Sequence, residues 1–324
     1  MFSPFFSWIA DMIVLMIFER CDNRAALFLF RVDRDASCSN NLRIFSFMFL
    51  VRHLNLFTLL KNSNLLPERP LHRAPGMPFI ELQSVDSTNN YALTMVHAGL
   101  ALQGTAVFAH QQVAGKGQRG KTWLSEKGSS LSLSLIMDPA PLEPHEQFRL
   151  SACIAVALCG LVRKYVGDNV SIKWPNDIYW QDRKAGGILI ESVIGSGLNN
   201  RGEWKWAIAG IGLNINQVSF PAEVANAISF RQITGRNFLP ASIARELCEL
   251  IPQAFSDLIE NGFEHIYATF NELLYKNGQT VKLREGNRVF QGTIKGVSGT
   301  GELIVEHGIE RRYAVGEVQF VWES

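Results

Sequence analysis

"GKGQRGKT", Gly115 to Thr122, fits the pattern of a phosphate-binding P-loop: glycine, four residues, then Gly-Lys-Thr. Its surroundings decide the fold. A P-loop needs a buried strand before it and a helix directly after it, because helix N-terminal amides complete the phosphate cradle. "TAVFAH" (Thr105 to His110) reads as the strand. The continuation, "WLSEKGSSLSLSLIMDP", does not read as the helix. Leu131, Leu133 and Leu135 alternate with Ser132 and Ser134, which is strand periodicity, and Gly128 and two serines stand where the helix would run. The expectation is therefore an anion-handling loop between two strands. Its glycines let the backbone approach a ligand, and Lys116, Arg119 and Lys121 suit phosphate or carboxylate.

The chain around this loop has 324 residues, enough for one large domain or two modest ones. A net charge of +1 gives no bulk attraction to nucleic acid, and 47% hydrophobic residues suit a globular core. Five cysteines form no metal-spaced cluster, and Cys153 and Cys159 lie in an apolar helical stretch as small core residues. An odd count without a framework spacing points to a reducing compartment, so the expected location is cytoplasmic.

Residues 1–76 differ in texture. "MFSPFFSWIADMIVLMIF" and "IFSFMFLVRHLNLFTLL" (Ile44 to Leu60) are apolar but interrupted by Asp11 and by Arg52 and His53, marginal for membrane spans. No basic start or small-residue cleavage site marks a signal peptide. "PERPLHRAPGMP" (Pro67 to Pro78) reads as a linker. A membrane anchor, a partly folded extension and translation from upstream of the true start all fit. The last is preferred, because ordered patterning begins just after Met77.

Beyond it, "FIELQ" reads as a strand and "SVDSTNNYALTMVHAG" as a helix capped by its serine and threonine and stopped at Gly99. "EPHEQFRLSACIAVALCGLVRKYVG" is a long buried helix. "VSIKW" and "KAGGILIESVIG" are strands flanking the turn "PNDIYWQDR", "WKWAIAGIGLNIN" is an apolar strand, and two helices run from about Ala241 to Tyr275. From Gln279 to Val321 the sequence breaks into five short strands separated by Gly-containing turns, a small barrel.

"KWPNDIYWQDRKAGGILIE", Lys173 to Glu191, crowds Lys173, Asp177, Asp182, Arg183 and Lys184 onto a short hairpin beside apolar strands. Such charges usually form solvated cross-strand pairs. Against that reading, the bare Ala-Gly-Gly after Lys184 leaves room for a ligand at the mouth of the sheet. Spacing alone leaves both readings open.

Four segments in this order, "DSTNNYA", "QQVAGKGQRGKTW", "KWPNDIYWQDRKAGGILIE" and "GIGLNIN", followed by a small terminal barrel, resemble biotin protein ligases (biotin–acetyl-CoA-carboxylase ligases) of the bacterial type. The resemblance runs from about Phe79 to Val321. It implies an α+β fold, with a mixed-sheet catalytic domain over 77–275 and an SH3-like barrel over 276–324. It implies activation of biotin by ATP to biotinyl-5′-AMP, with Mg²⁺ and no covalent enzyme intermediate. Transfer then goes to a lysine of a biotin carboxyl carrier domain of acetyl-CoA carboxylase or a related carboxylase. The family pattern places Ser87, Thr88, Asn89 and Gln112 around the biotin head group, and Lys116, Gly117 and Gln118 on the loop that meets biotin and its activated carboxyl. Lys184 matches the lysine that bridges carboxylate and α-phosphate. Gly115, Arg119, Trp123, Lys173, Asn176, Asp177 and Asn214 are nucleotide or metal candidates, Trp123 reading equally as a core plug. Lys282 and Glu317 match barrel positions that reach toward ATP. The metal ligands stay unknown.

There are departures. Lys116 and Gln118 stand where many bacterial members carry arginines, and Val321 stands where some do. Residues 1–76 show no recognition-helix pattern with a basic face, so a ligase without repressor function, with neither DNA nor membrane as a partner, is expected. A lipoate–protein ligase, a regulator that binds biotinyl-AMP without transferring it and a membrane-tethered accessory protein are the rival readings. The loop, the "KWPND" segment and the terminal barrel favour biotin over lipoate.

Overall fold

The computed structural model describes residues 17–21, 24–33, 43–50, 78–124, 126–196 and 202–321. The chain divides into two compact units, Met1–Arg69 and Pro70–Ser324. In the first, β1 (Ile17–Cys21), β2 (Arg24–Asp33) and β3 (Arg43–Leu50) form an antiparallel sheet in the order β1-β2-β3. The two apolar stretches weighed as membrane spans thus coincide in part with β1 and β3. Their remainder and the linker before Pro78 lie outside the described residues. No helix among the described residues is long and apolar enough to cross a membrane.

The second unit is built on a seven-stranded mixed sheet in the order β4-β5-β6-β10-β9-β8-β7. Its strands are β4 (Phe79–Leu82), β5 (Ala106–Ala109), β6 (Ser130–Met137), β7 (Val170–Lys173), β8 (Asp177–Trp180), β9 (Arg183–Ser196) and β10 (Gly202–Asn214). Only the β4–β5 pair is parallel. The strand over Asp177–Trp180 lies inside the stretch read from sequence as a turn. The turn itself is shorter and contains a cis Trp174–Pro175 peptide bond.

The Leu/Ser alternation in β6 explains how the sheet is used. Successive side chains point to opposite faces. Leu131, Leu133 and Leu135 join Ala209, Ile211 and Leu213 of β10 in the main core, packed with helices α2 (Gln147–Val166) and α4 (Pro240–Asn261). Ser130, Ser132 and Ser134 pair with Asn214, Gly212 and Gly210 on the opposite face. That face is buried as well, so the serines are not the solvated half of an amphipathic strand. Helix α1 (Thr88–His97) covers one end of it, its Ala92 packing with Val107, Ile136 and Ile208. Cys153 and Cys159 face the main core, where burial pushes both thiols up to about 12. A short helix, α3 (Phe230–Thr234), precedes α4, with the serine cap that sequence reading overlooked at Ser229. By contrast Ser87 occupies the N-cap position of α1 without a side-chain cap bond.

After α5 (Glu264–Glu272) come β11 (Thr280–Glu285), β12 (Arg288–Val297), β13 (Leu303–His307), β14 (Ile309–Tyr313) and β15 (Val318–Phe320). They form an antiparallel five-stranded sheet in the order β14-β13-β12-β11-β15. It is docked on the part built around the seven-stranded sheet by specific contacts. The Trp174 indole N–H donates to the Gly301 carbonyl at 2.9 Å, and the Tyr267 hydroxyl donates to the Val297 carbonyl at 2.8 Å.

Candidate active site

The glycines of this sheet face, Gly187, Gly210 and Gly212, floor a cavity of about 840 Å³, bounded by the 115–123 loop, the segment 220–227 and the barrel residues Val315, Gly316 and Val318 to Phe320. Glycines make the floor possible. A Cβ on Gly210 would lie 2.3 Å from Asn89 Oδ1, and one on Gly212 would lie 2.5 Å from the Trp123 ring. Both approaches exclude any side chain there. "GIGLNIN" is therefore a strand thinned to seat α1 and the loop.

Most of the residues singled out from sequence converge on this cavity. Ser87, Thr88, Asn89, Gln112, Lys116, Gly117, Gln118, Arg119, Trp123, Lys173, Asn176, Asp177, Lys184 and Asn214 all line it. Gly115 is buried beneath the loop, where a Cβ would lie 2.4 Å from the Trp123 carbonyl oxygen. Lys282 and Glu317 are exposed and do not line the cavity. Glu317 instead accepts the Ala314 amide at 2.7 Å and closes its own turn.

The end of the cavity beside α1 is a connected polar network. Gln112 Oε1 accepts from the Thr88 amide at 2.8 Å and from the Thr88 hydroxyl at 3.1 Å. The Ser134 hydroxyl lies 2.8 Å from Thr88 Oγ1 and 2.6 Å from Asn89 Oδ1. Asn89 Nδ2 donates to Glu191 Oε2 at 2.7 Å, and Glu191 Oε1 accepts from Lys116 at 3.2 Å. Such a network fixes its members' orientation, because each buried polar atom has a partner.

The loop is an ordered hairpin with no P-loop helix behind it. Lys116 and Thr122 form an antiparallel bridge, the Gly117 amide bonds to the Lys121 carbonyl at 2.7 Å, and a 3₁₀ turn (Gln118–Gly120) forms the tip. Arg119 sits at φ 56° on that tip and reaches the barrel turn. A Cβ on Gly316 would lie 1.1 Å from its Nη1. Trp123, at the loop's end, lines the cavity and fills the space above Gly212. Its buried indole N–H has no hydrogen-bond partner among the described residues.

Lys184 owes its direction to a bulge. Asp177 pairs with Gly187 and Ile178 with Gly186, but Tyr179 pairs with Lys184, so Ala185 is an extra residue. In regular register Lys184 would oppose Trp180, on the face away from Asp177. The bulge turns it onto the cavity face, as bulges beside functional sites do. There its Nζ lies 2.6 Å from Asp177 Oδ1 and 5.8 Å from the Trp123 ring centroid. Its backbone is clamped: Lys184 N donates to the Asn226 carbonyl, and its carbonyl accepts from Ile228 N and from Asn214 Nδ2. Asn214 thus holds Lys184, and Asn176 Nδ2 likewise holds the Ile188 carbonyl. Lys173 Nζ lies over the rings of Tyr179 and Phe320 at 5.3 and 4.8 Å. Burial pulls its ammonium below the usual lysine range, opposed by the Asp177 carboxylate.

Sequence reasoning missed Ser134, Glu191, the segment 220–227 and the barrel wall from Val315 to Phe320. Glu191 carried a readable signal, a carboxylate inside the apolar run "ILIES". The segment 220–227 carries no periodicity to read.

Residues 81–202 match the Biotin/lipoate A/B protein ligase family, and residues 277–321 match the Biotin protein ligase C terminal domain. The chain is 32% identical over 246 residues to the bifunctional ligase/repressor BirA of Escherichia coli, covering 73% of this chain and 72% of that protein. It is 27% identical to the biotin–[acetyl-CoA-carboxylase] ligase of Paracoccus denitrificans over 69% of this chain and 92% of that one. The structure of the Aquifex aeolicus biotin protein ligase in complex with biotin and ATP superposes with a TM-score of 0.64. That match has 25% identity and covers 76% of this chain and 99% of the other.

Proposed function

The chain belongs to the biotin/lipoate A/B protein ligase family, and on that footing we propose that it is an ATP-dependent biotin–protein ligase working in two steps. Biotin carboxylate attacks the α-phosphate of ATP, forming biotinyl-5′-AMP and releasing pyrophosphate. The neutral ε-amine of an acceptor lysine on a biotin carboxyl carrier domain then attacks the acyl carbon, and AMP leaves.

The observation that carries this reading is the convergence of Lys116, Lys121, Lys173 and Lys184 on one cavity whose floor includes Gly187, Gly210 and Gly212. Carboxylate attack on a phosphate gathers negative charge, so catalysis rests on positioning and on cations fixed in advance. Lys184 suits the bridging role. An ammonium has three donors, so it can keep Asp177 and still hold a carboxylate and a phosphate oxygen. Its clamped backbone and the bulge fix where that charge sits. The network of Thr88, Gln112, Ser134 and Asn89 suits an uncharged ureido ring, which needs neutral donors and acceptors in an otherwise apolar pocket. The loop over the cavity shields a hydrolysable mixed anhydride from water.

Mg²⁺ fits this site as a guest of the nucleotide. The ion keeps most of its waters and rests on one or two carboxylates plus phosphate oxygens. Asp177 and Glu223 are the carboxylates lining the cavity, and no cluster of three or more acidic, His or Cys ligands stands ready among the described residues. When bound, the ion would neutralise phosphate charge.

The Cys153 and Cys159 thiols are free and buried, which supports a reducing cytoplasm as the place of action. The deciding experiment measures biotin-dependent pyrophosphate release from ATP, with and without a biotin carboxyl carrier domain, and mass gain on that domain. A lipoate control separates the sister activity. Pyrophosphate release without carrier labelling would leave a regulator that binds the adenylate.

A further inference from the structure

Glu191 lies in β9 on the cavity side of the sheet, where it pairs with Ile208 of β10. A carboxylate beside a pocket for anionic substrates is unfavourable unless it is neutralised and hydrogen-bonded. Both conditions hold. Oε1 is 3.2 Å from Lys116 Nζ, and Oε2 accepts from Asn89 Nδ2 at 2.7 Å. Asn89 is buried and fully engaged: its oxygen accepts from Ser134 at 2.6 Å, and its NH₂ also reaches the Leu189 carbonyl at 3.4 Å. Both amide N–H groups are thus committed to the protein. Its contribution is to hold Ser134, and through it Thr88, in place.

We propose that Glu191 is a positioning residue that joins the 115–123 loop to the floor of the site. One oxygen sets the Asn89–Ser134–Thr88 chain at the head-group end, and the other holds the loop through Lys116. Lys116 rests on Glu191. A substrate carboxylate competes for the same ammonium, so the loop arrives already near its closed place. The inference rests on the biotin-ligase reading, because it assigns the two ends of the network to biotin's ring and its carboxylate.

Two substitutions separate the functions. Glu191→Gln keeps an oxygen for Asn89 and removes the charge that holds Lys116. Trypsin should then cut the ligand-free loop after Arg119 or Lys121 faster by about two- to fivefold, the range for a half-exposed ion pair. Biotin affinity without ATP should stay near wild type. Glu191→Ala removes both contacts and should also weaken biotin binding by roughly tenfold, as loss of a hydrogen bond to a charged group does. Lys116→Gln combined with Glu191→Gln should be cut no faster than Lys116→Gln alone. Wild-type cleavage in Glu191→Gln, or extra cleavage in the double variant, overturns the loop half of the proposal. Unchanged biotin affinity in a folded Glu191→Ala protein overturns the other half. If Glu191→Ala does not fold, Asn89→Ala supplies the same test of the floor. A wild-type protein without biotin-dependent pyrophosphate release would instead sink the functional reading itself, so the two failures are distinguishable.

Discussion

The Lys184 ammonium lies 2.6 Å from the Asp177 carboxylate, and the two share a face of the sheet only because Ala185 is an extra residue in β9 opposite β8. This relationship makes Lys184 the fixed charge of the site. Lys184→Ala should reduce adenylate formation by about 10²–10³-fold, the loss expected for one preorganised electrostatic group at a reacting centre. Transfer from supplied biotinyl-AMP should suffer less. Pyrophosphate-release and carrier-labelling rates check both, and equal loss in the two steps would remove Lys184 from the phosphate.

The two glycines of β10 should fail differently. Gly210→Ala places a methyl against Asn89 and should weaken biotin binding, while Gly212→Ala places one against Trp123 and should loosen the loop. Overpacking of this kind costs about 1–3 kcal/mol. Calorimetric titration with biotin and the rate of adenylate release would show the split. The same defect from both substitutions would argue against it.

Arg119 and Gly316 meet between the loop and the barrel turn. Gly316→Ala should speed adenylate release, because its methyl displaces the guanidinium and unlatches the loop. In an Arg119→Ala background the same change should add little. The φ of 93° at Gly316 penalises alanine in both backgrounds, so thermal melting must be compared alongside. Release rates that simply multiply across the double variant would mean that the two residues do not act through each other.

Gln118 lines the cavity and offers only neutral hydrogen bonds. An arginine there gains charge-assisted contacts, about twice as strong, to an activated carboxyl or phosphate. Gln118→Arg should therefore slow biotinyl-AMP release in stopped-flow, with biotin affinity in the absence of ATP little changed. An unaltered off-rate would place position 118 outside the ligand's reach.

A chain beginning at Met77 should be soluble and retain adenylate formation, since, among the described residues, all that line the cavity lie beyond it. We propose on this basis that residues 77–275 form the catalytic domain and 276–324 the barrel. Loss of activity in the shortened protein, with activity in the full chain, would assign the leader to the enzyme.

Local chemistry was enough for a large part of this architecture. Leu131–Ser132–Leu133–Ser134 reads as a strand because alternation is a property of neighbours. The rejected P-loop follows from what stands directly after Thr122, and the loop cations and the "KWPND" charges are visible as residue types. What such reading cannot reach is set between segments far apart in the chain. The direction of Lys184 depends on a one-residue register shift against β8, and a shift of one reverses every side chain beyond it. A local reading of "PNDIYWQDR" as a turn hid the strand on which that register is counted. The roles of Asn176 and Asn214 as backbone holders, the place of Glu191 between Asn89 and Lys116, and the barrel's share of the cavity wall likewise come from packing. Each requires two elements to be brought to hydrogen-bond distance, and periodicity along one of them carries no record of the other.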